Sequence, residues 1–269
     1  MTVDTAGLTV GTAGARGGGA LDRMVGCLWN IRCDPVTERL SGMGEMVSFP
    51  SNGGTADGYL AVPESGRGPG VIVIQEWWGL VPHIKSVADR FAAAGFVALA
   101  PDLFHGVATT EPDAAGKLMM GMAMPQAAKD IAGAASYLAG RDDVTGKIGA
   151  VGYCMGGSLA LWSATLSDNV VATVGYYPAV PWERMSPRWQ NYDGKVALIH
   201  CSEGDGTSAA PGIQQAVAAI QGAGGAVQTY DYPGTGHAFF NDDRPEVYNA
   251  EASSTSWART LETLRGALG

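Results

Sequence analysis

The segment GAVGYCMGGSLAL, residues 149–161, joins an apolar run to a stretch of small residues through a cysteine that glycines enclose. This pattern predicts a buried strand, a tight turn and a helix. The G-x-C-x-G sequence of residues 152–156 lets strand and helix pack closely around a strained turn. Such a turn projects Cys154 out of the sheet at a helix N-terminus, whose free N–H groups and dipole favour a thiolate. The segment therefore predicts a cysteine nucleophile. The alternative is a buried thiol at a glycine-rich junction.

The rest of the chain alternates apolar strand patterns with helical ones from about residue 70 onward. The predicted strands are GVIVIQE, FVALAPDLF, GKIGAVGY, VVATVGYYP, KVALIHC and AVQTYDYPG. Ahead of them, EMVSFPSNGGTADGYLAVP predicts a hairpin around an Asn-Gly-Gly turn. This succession predicts a mostly parallel sheet with helices on both faces, in which functional residues follow the C-terminal ends of strands.

The composition limits the classes of function and partner. The 269 residues suffice for one large domain, and 17 basic against 26 acidic residues give a net charge of −9. That charge argues against binding nucleic acid or an anionic membrane. No apolar run approaches the length of a membrane span, and the N-terminus lacks the pattern of a secretory signal. Four cysteines without metal-type spacing predict a reducing, cytoplasmic location, with no disulfide framework and no metal.

Residues 1–42 differ from the remainder, since GTAGARGGGA is low-complexity sequence and MVGCLWNIRC is an isolated apolar patch. We expect a disordered N-terminal extension followed by one domain over residues 43–269. One alternative is that translation starts at Met43 or Met46. Another is a mobile tail, or an arm that packs on a partner.

Candidate partners for the cysteine follow two later strands. A nucleophile of this kind needs a base and a group that orients the base, in the chain order nucleophile, acid, histidine. Asp205 follows a strand in LIHCSEGDG, with Glu203 as the alternative acid, and His237 follows the next strand in YPGTGHAFFND. Upstream, Glu76 ends the apolar strand GVIVIQE, where a carboxylate is costly unless it is functional or paired with an arginine.

Taken together, these stretches resemble the dienelactone hydrolase family of α/β-hydrolases over roughly residues 45–268. The resemblance lies in VIVIQEWWGL, ALAPDLF, KIGAVGYCMGGSLAL, VGYY, LIHCSEGD and GTGHAFFNDDRPEVYNAEAS. It implies an α/β-hydrolase fold, a triad of Cys154, Asp205 and His237, and a part for Glu76 in generating the thiolate. The turn geometry makes the N–H of Met155 one oxyanion donor, and the resemblance implies that the N–H of Trp77 is the other.

The predicted function is hydrolysis of a small-molecule ester or lactone through a thioester on the cysteine, without metal or organic cofactor. We expect a monomer or a small homo-oligomer. Two alternatives stay open. One is another specificity on the same residues, such as a thioesterase or a different carboxylesterase. The other is a non-catalytic protein whose pocket binds a small ligand.

The resemblance weakens where the family binds its substrate. Family members that open dienelactones hold the substrate carboxylate with arginines, one shortly after the PDL motif and one a few residues after the catalytic histidine. Here PDLFHGVATT contains no arginine, Asn241 stands at the second place, and Arg244 comes later. Because arginine is the usual partner of a carboxylate, these departures favour a neutral ester or lactone.

Several aromatic and polar residues at strand ends are predicted to contact substrate: Trp78, His105, Tyr176, Tyr177, Phe239 and Asn241. Core packing is an equally good interpretation for four aromatic residues, Trp77, Trp78, Tyr176 and Tyr177. We expect His200 and Cys201 to be buried within a strand, and His83 to be structural at a helix start.

Overall fold

The computed structural model describes residues 44–51 and 53–269. The predicted N-terminal extension over residues 1–42 and the alternative start at Met43 lie outside these residues. The other alternative start, Met46, falls inside the first strand.

The centre of the described chain is an eight-stranded sheet in the order β1-β2-β4-β3-β5-β6-β7-β8. The strands are β1 (Gly44–Ser51), β2 (Gly54–Ala61), β3 (Gly68–Ile74), β4 (Val97–Pro101), β5 (Val144–Tyr153), β6 (Val170–Tyr176), β7 (Val196–Ser202) and β8 (Ala226–Tyr232). β1 and β2 form the predicted hairpin, paired antiparallel from Gly44–Ala61 to Ser51–Gly54. β2 is antiparallel to β4, and β3 to β8 run parallel. The prediction of a mostly parallel sheet is confirmed.

In the described part of the chain, six α-helices cover the sheet: α1 (Pro82–Ala93), α2 (Pro112–Gly121), α3 (Met124–Ala139), α4 (Met155–Leu166), α5 (Pro211–Gly222) and α6 (Ala250–Leu268). α1 and α6 meet through Phe91 and Trp257, whose ring centroids lie 4.5 Å apart, while α3 packs against α4. Pro125 lies in the first turn of α3, where a missing N–H costs nothing. Asn249 caps α6 by accepting from the N–H of Ala252. Within the described part of the chain, every helix is too short or too polar to cross a bilayer.

The parallel strands bring distant parts of the chain to one edge of the sheet. Their interior positions are buried on both faces. Side chains at 0% exposure are those of Val71, Ile72, Val73 and Ile74 in β3 and of Ile148, Ala150, Val151 and Tyr153 in β5. Their C-terminal ends are followed at once by the predicted functional residues, which are Glu76, Cys154, Tyr177, Asp205 and His237. The fold therefore places beside one another loops that lie up to about 160 residues apart in the chain.

Candidate active site

Cys154 occupies a strained turn between β5 and α4. Its φ is +55°, a conformation that costs a non-glycine residue about 1–3 kcal/mol. The turn is held by its own backbone, because the Cys154 N–H donates to the carbonyl of Tyr176 at 3.0 Å. The Cys154 carbonyl accepts from the N–H groups of Gly157 at 2.9 Å and Ala179 at 3.2 Å. The surrounding structure thus enforces the geometry that the glycine pattern predicts for a nucleophile.

The glycines on either side of the cysteine permit this turn. A Cβ on Gly152 would lie 1.9 Å from the carbonyl oxygen of Gly156, so strand and helix could not approach each other as they do. A Cβ on Gly156 would lie 2.4 Å from the carbonyl oxygens of both Ile74 and Gln75. Since these obstacles are backbone atoms, no side-chain adjustment relieves them. Any other residue would push α4 away from β3.

A histidine–carboxylate pair lies on the loops after β7 and β8. His237 Nδ1 donates to Asp205 Oδ2 at 2.8 Å, and the same oxygen accepts a very short hydrogen bond from Ser202 Oγ. Glu203, the alternative acid, instead accepts from the N–H of Gly234 at 2.6 Å. The imidazole therefore contacts Asp205, while Glu203 fastens the loop that carries His237. Ser202 is a contact that the sequence analysis missed, because no local pattern marks a serine hydroxyl that donates to a carboxylate.

The electrostatics of this pair favour a charged imidazole. Burial alone would lower the pKa of His237, but hydrogen bonds to Asp205 and Cys154, together with their charges, raise it to about 10. Burial alone would raise the pKa of Asp205, but the hydrogen bonds from His237 and Ser202 lower it. These contacts favour a protonated imidazole beside the Asp205 carboxylate.

Glu76 is buried beside this site and has a neutral partner. It is 1% exposed, and Asn241 Nδ2 donates to its Oε2 at 2.6 Å. The side-chain oxygen Oδ1 of Asn241 accepts from the backbone N–H of Asp243, which orients the side-chain amide with its NH₂ group towards Glu76. Burial raises the pKa of Glu76, against the lowering effects of His83 and the Asn241 hydrogen bond. An ion pair with an arginine, the structural alternative, is absent among the described residues.

The two predicted oxyanion donors are backbone groups without competing acceptors. Met155 is the first residue of α4, where an N–H has no intrahelical acceptor. No acceptor for the Trp77 N–H occurs within residues 44–51 and 53–269. The Trp77 ring packs edge-on against Trp78, with centroids 5.0 Å apart, and lies 3.9 Å from the position of a Cβ on Gly116 of α2. Their role as an oxyanion hole stays a prediction.

Of the predicted substrate contacts, Tyr176 and Phe239 are fully buried, and the Tyr176 hydroxyl hydrogen bonds with Thr260 of α6. Strand-end aromatics of a parallel sheet also pack in the core, so substrate contact by these two residues stays a prediction. Tyr177 is likewise only 1% exposed, and its ring meets the His237 ring edge-on with centroids 5.0 Å apart. Asn241, 2% exposed, uses its amide on Glu76.

The remaining candidates lie at two further positions. Trp78 is 9% exposed, and the Arg244 guanidinium lies 5.6 Å from its ring centroid. His105 places Nε2 3.3 Å from Asp130 Oδ2 and lines a cavity of about 270 Å³ with residues of α2 and α3. None of Cys154, Asp205 and His237 lines that cavity. Substrate contact by Trp78 and His105 stays a prediction.

Arg184 and Arg244 are both already engaged by other groups of the protein. Arg184 donates to the carbonyl oxygens of Met119 and Met120, each at 3.1 Å, and so binds the end of α2. Arg244 pairs with Glu246, with its Nε 2.9 Å and its Nη2 2.8 Å from the same carboxylate oxygen.

The strand order and the position of the cysteine after the central strand β5 place this protein among the α/β-hydrolases. The sequence model of the dienelactone hydrolase family matches residues 56–268. The chain therefore belongs to the dienelactone hydrolase family, as its resemblance implied, and it is an ester or lactone hydrolase.

Known relatives cover nearly the whole described chain. Protein usf of Aquifex pyrophilus is 34% identical over 232 residues, which span 81% of this chain and 96% of the relative. The carboxymethylenebutenolidase of a Pseudomonas species is 31% identical over 231 residues, spanning 82% of this chain and 94% of the relative. A solved dienelactone hydrolase-like promiscuous phosphotriesterase from metagenomic libraries has a TM-score of 0.71 at 20% identity, covering 84% of this chain and 98% of that one. The last comparison supports the fold alone.

Proposed function

We propose that this protein hydrolyses a small neutral ester or lactone through a thioester formed on Cys154. One observation carries the proposal. A cysteine held at a strained strand–helix turn shares a site with His237, whose Nδ1 lies 2.8 Å from a carboxylate. A nucleophile, a base and a group that orients the base are the minimum set for acyl transfer.

The first half of the reaction acylates the cysteine. Glu76 accepts the thiol proton, which suits a carboxylate whose pKa burial has raised. The thiolate attacks the substrate carbonyl, and the oxyanion is stabilised by the N–H groups of Trp77 and Met155. The C–O bond then breaks, and the leaving oxygen takes the Nε2 proton of the His237 imidazolium. The products are a thioester, an alcohol or the opened end of a lactone, and a neutral imidazole.

The second half regenerates the thiolate. Acylation removes the negative sulfur, which is one of the groups that raise the pKa of His237, so the neutral imidazole can now act as a base. It takes a proton from water as the water oxygen attacks the thioester. The C–S bond breaks and the acid leaves, so a thiolate again lies beside the imidazolium. The Glu76 carboxyl then returns its proton to the sulfur, which restores the resting thiol and the Glu76 carboxylate. Asp205 keeps Nδ1 protonated in both halves.

The preference for a neutral substrate rests on the cations near the site. Arg184 is bound to backbone carbonyls of α2 and Arg244 to Glu246. Asn241, at the place where the family has an arginine, is neutral and donates to Glu76. A substrate carboxylate would therefore lose its hydration without gaining a free bidentate partner.

The decisive experiment is mass-spectrometric trapping of an acyl adduct after brief exposure to a mixed library of lactones, aryl esters and thioesters. We expect the adduct on Cys154, and we expect Cys154→Ala to lose the adduct and at least about 10³-fold in kcat/KM. Cys201→Ala is the matched control. Cys201 is 3% exposed and burial raises its pKa to about 12, so this variant should keep wild-type activity.

The outcome also separates the alternatives. Neutral esters and lactones should acylate faster than matched compounds that carry a carboxylate. Preferential acylation by thioesters would identify a thioesterase. Undiminished turnover by Cys154→Ala would refute the thioester mechanism. Reversible ligand binding without any adduct in the wild type would indicate a non-catalytic protein.

A further inference from the structure

A second aspartate–histidine pair, Asp242 and His83, adjoins Glu76 through the segment that carries Asn241. His83, the second residue of α1, is 2% exposed, and its Nδ1 lies 3.0 Å from Asp242 Oδ1. Arg90, two turns further along α1, donates from Nη2 to Asp242 Oδ2 at 2.7 Å. In this pair, as in Asp205 and His237, a carboxylate contacts the Nδ1 atom of a histidine, but here the histidine ring is buried.

The contacts determine which nitrogen of His83 carries hydrogen. Burial alone would raise the pKa of Asp242, but the hydrogen bond from His83 and the charge of Arg90 lower it to about 2. The carboxylate is thus an acceptor only, so His83 Nδ1 is the donor. The other nitrogen, Nε2, is buried and has no hydrogen-bond partner among the described residues. In a neutral ring this nitrogen carries a lone pair, and a buried acceptor without a hydrogen-bond donor costs about 1–3 kcal/mol.

Glu76 is buried in the same part of the protein as His83, because their partners Asn241 and Asp242 are consecutive residues. His83 exerts the largest effect of any charge on Glu76, ahead of His237 and Arg244. The Tyr153 ring lies edge-on to His83 with centroids 6.5 Å apart. The hydroxyls of Tyr153 and Tyr177 are also buried without a partner in residues 44–51 and 53–269, and both tyrosines are close enough to Glu76 for its charge to raise their pKa.

One short segment positions both members of this cluster. Asn241 donates to Glu76, and the next residue, Asp242, accepts from His83. The same segment begins four residues after His237. The two acid–base groups of the proposed reaction and the His83 ring are therefore fixed by one loop, which begins where β8 ends.

We propose that His83 and Glu76 share one exchangeable proton, directly or through a bound water, and that His83 thereby sets the pH range in which Glu76 accepts the Cys154 thiol proton. The inference rests on the proposed function. The proton leaves sulfur for a Glu76 carboxylate oxygen, and the Glu76 proton can pass to the Nε2 lone pair. The S–H bond breaks, an N–H bond forms, and the products are a thiolate and an imidazolium that Asp242 stabilises. Tyr153 and Tyr177 would hydrogen bond a bridging water. His83 is a positioning residue, since it touches no reacting atom of the substrate.

The test is the pH profile of kcat/KM for the wild type, His83→Gln and Asp242→Asn. Without an adjacent cation Glu76 holds its proton to higher pH, so the acid limb should move to higher pH in both variants. We expect a loss of roughly tenfold at about pH 6, and a change of less than about threefold on the plateau at higher pH. A merely structural role would lower the rate at all pH values alike.

Two further variants sharpen the result. His200→Gln is the matched control, because it also removes a buried histidine, but one bonded to Thr260 and Tyr232. It should leave the acid limb unmoved. In a Glu76→Gln background, His83→Gln should produce no further shift, since the shared proton is already gone.

An unmoved acid limb in folded His83→Gln and Asp242→Asn overturns the inference, as does an equal shift in the Glu76→Gln background. If His83→Gln does not fold, Asp242→Asn decides alone, because its side chain is 27% exposed. Adduct trapping separates this failure from that of the proposed function. An adduct on Cys154 with an unmoved limb refutes only the role of His83, whereas no adduct in the wild type refutes the thioester mechanism.

Discussion

Three ionisable side chains of the site, those of His237, Asp205 and Glu76, are displaced from their ordinary pKa values in the direction that their proposed tasks require. Hydrogen bonds and charges prevail over burial at His237 and raise its pKa to about 10, while they lower the pKa of Asp205. At Glu76, burial prevails and raises the pKa. The difference lies in the partners, since His237 has anionic neighbours and Glu76 has a neutral amide. Environment therefore assigns opposite proton-transfer roles to groups in one small space.

The Asp205–His237 contact predicts a specific change in the basic limb of the pH profile. In Asp205→Asn the carboxylate no longer raises the pKa of His237, so the imidazolium is lost at lower pH. The basic limb of kcat/KM should move to lower pH, and the rate should fall roughly 10²- to 10⁴-fold. A steady-state pH series measures both effects.

Glu203→Gln is the control for that series. Glu203 is the neighbouring acid, but its contact is with the N–H of Gly234. A glutamine oxygen can accept the same hydrogen bond, so the basic limb should stay where it is in the wild type. A limb that moves in Glu203→Gln and not in Asp205→Asn would contradict the assignment of the acid.

Among the elements, the contact between β3, β5 and α4 matters most for the site. α4 approaches β3 so closely that Gly156 has no room for a side chain, and this approach fixes the turn at Cys154. The same strand β3 leads directly to Glu76 and Trp77. One close packing contact therefore sets the positions of the nucleophile, the buried carboxylate and both predicted oxyanion donors.

Two glycine-to-alanine substitutions test this contact in opposite directions. Gly156→Ala places a Cβ against two backbone carbonyls and should destabilise the protein by several kcal/mol or prevent folding. Gly266→Ala, in the last turns of α6, has nothing within 4 Å of the new Cβ. It should stabilise the protein by up to about 1 kcal/mol through helix propensity. Urea unfolding measures both, and equal effects of the two changes would refute the packing argument.

At the scale of the whole molecule, His200 joins the sheet to α6. Its Nε2 hydrogen bonds with Thr260 of α6 at 3.0 Å, and its Nδ1 with the Tyr232 hydroxyl of β8 at 2.8 Å. Burial, aided by the charge of Arg259, lowers its pKa from 6.5 to about 3. The folded protein thus keeps His200 neutral under conditions in which the unfolded chain protonates it.

This displacement predicts how stability depends on pH. The pKa of His200 is lower in the folded protein than in the unfolded chain. Its contribution to the free energy of unfolding is therefore fully present above pH 6.5 and is lost as the pH falls towards about 3. The slope is up to about 1.4 kcal/mol per pH unit. His200→Gln should be less stable than the wild type at neutral pH, by about 1–3 kcal/mol. Between about pH 7.5 and 4.5 its stability should fall by about 2 kcal/mol less than that of the wild type.

Thr260→Val provides the control, because it removes a hydrogen bond and leaves the histidine in place. Its stability should be lower by a similar amount at both pH values. Urea unfolding at the two pH values compares the three proteins. An identical pH dependence in wild type and His200→Gln would show that another group controls acid unfolding.

The candidate triad was accessible from sequence because each member has a local signature. Glycines at 152 and 156 predict the turn, and the residues that follow β7 and β8 have the expected chain order. A parallel sheet brings such strand ends together whatever its detailed packing, so order along the chain translates into proximity. Predicted strands and helices agree with the structure for the same reason, since their apolar spacing is a local property.

The contacts of the residues that surround the candidate triad could be learned only from the tertiary structure. Whether a strand-end aromatic lines a pocket or packs in the core is decided by the elements that cover it, and here both Tyr176 and Phe239 are fully buried, with the Tyr176 hydroxyl bonded to Thr260 of α6. Likewise, no local signal links Asn241 to Glu76 or Asp242 to His83, which are more than 150 residues apart in the chain. Hydrogen-bond partners and pKa displacements arise only when burial removes water from charged groups, and burial is a property of the assembled fold. Local pattern thus predicted the candidate nucleophile and the order of its candidate partners, whereas long-range packing decided which groups surround these side chains and how their pKa values are displaced.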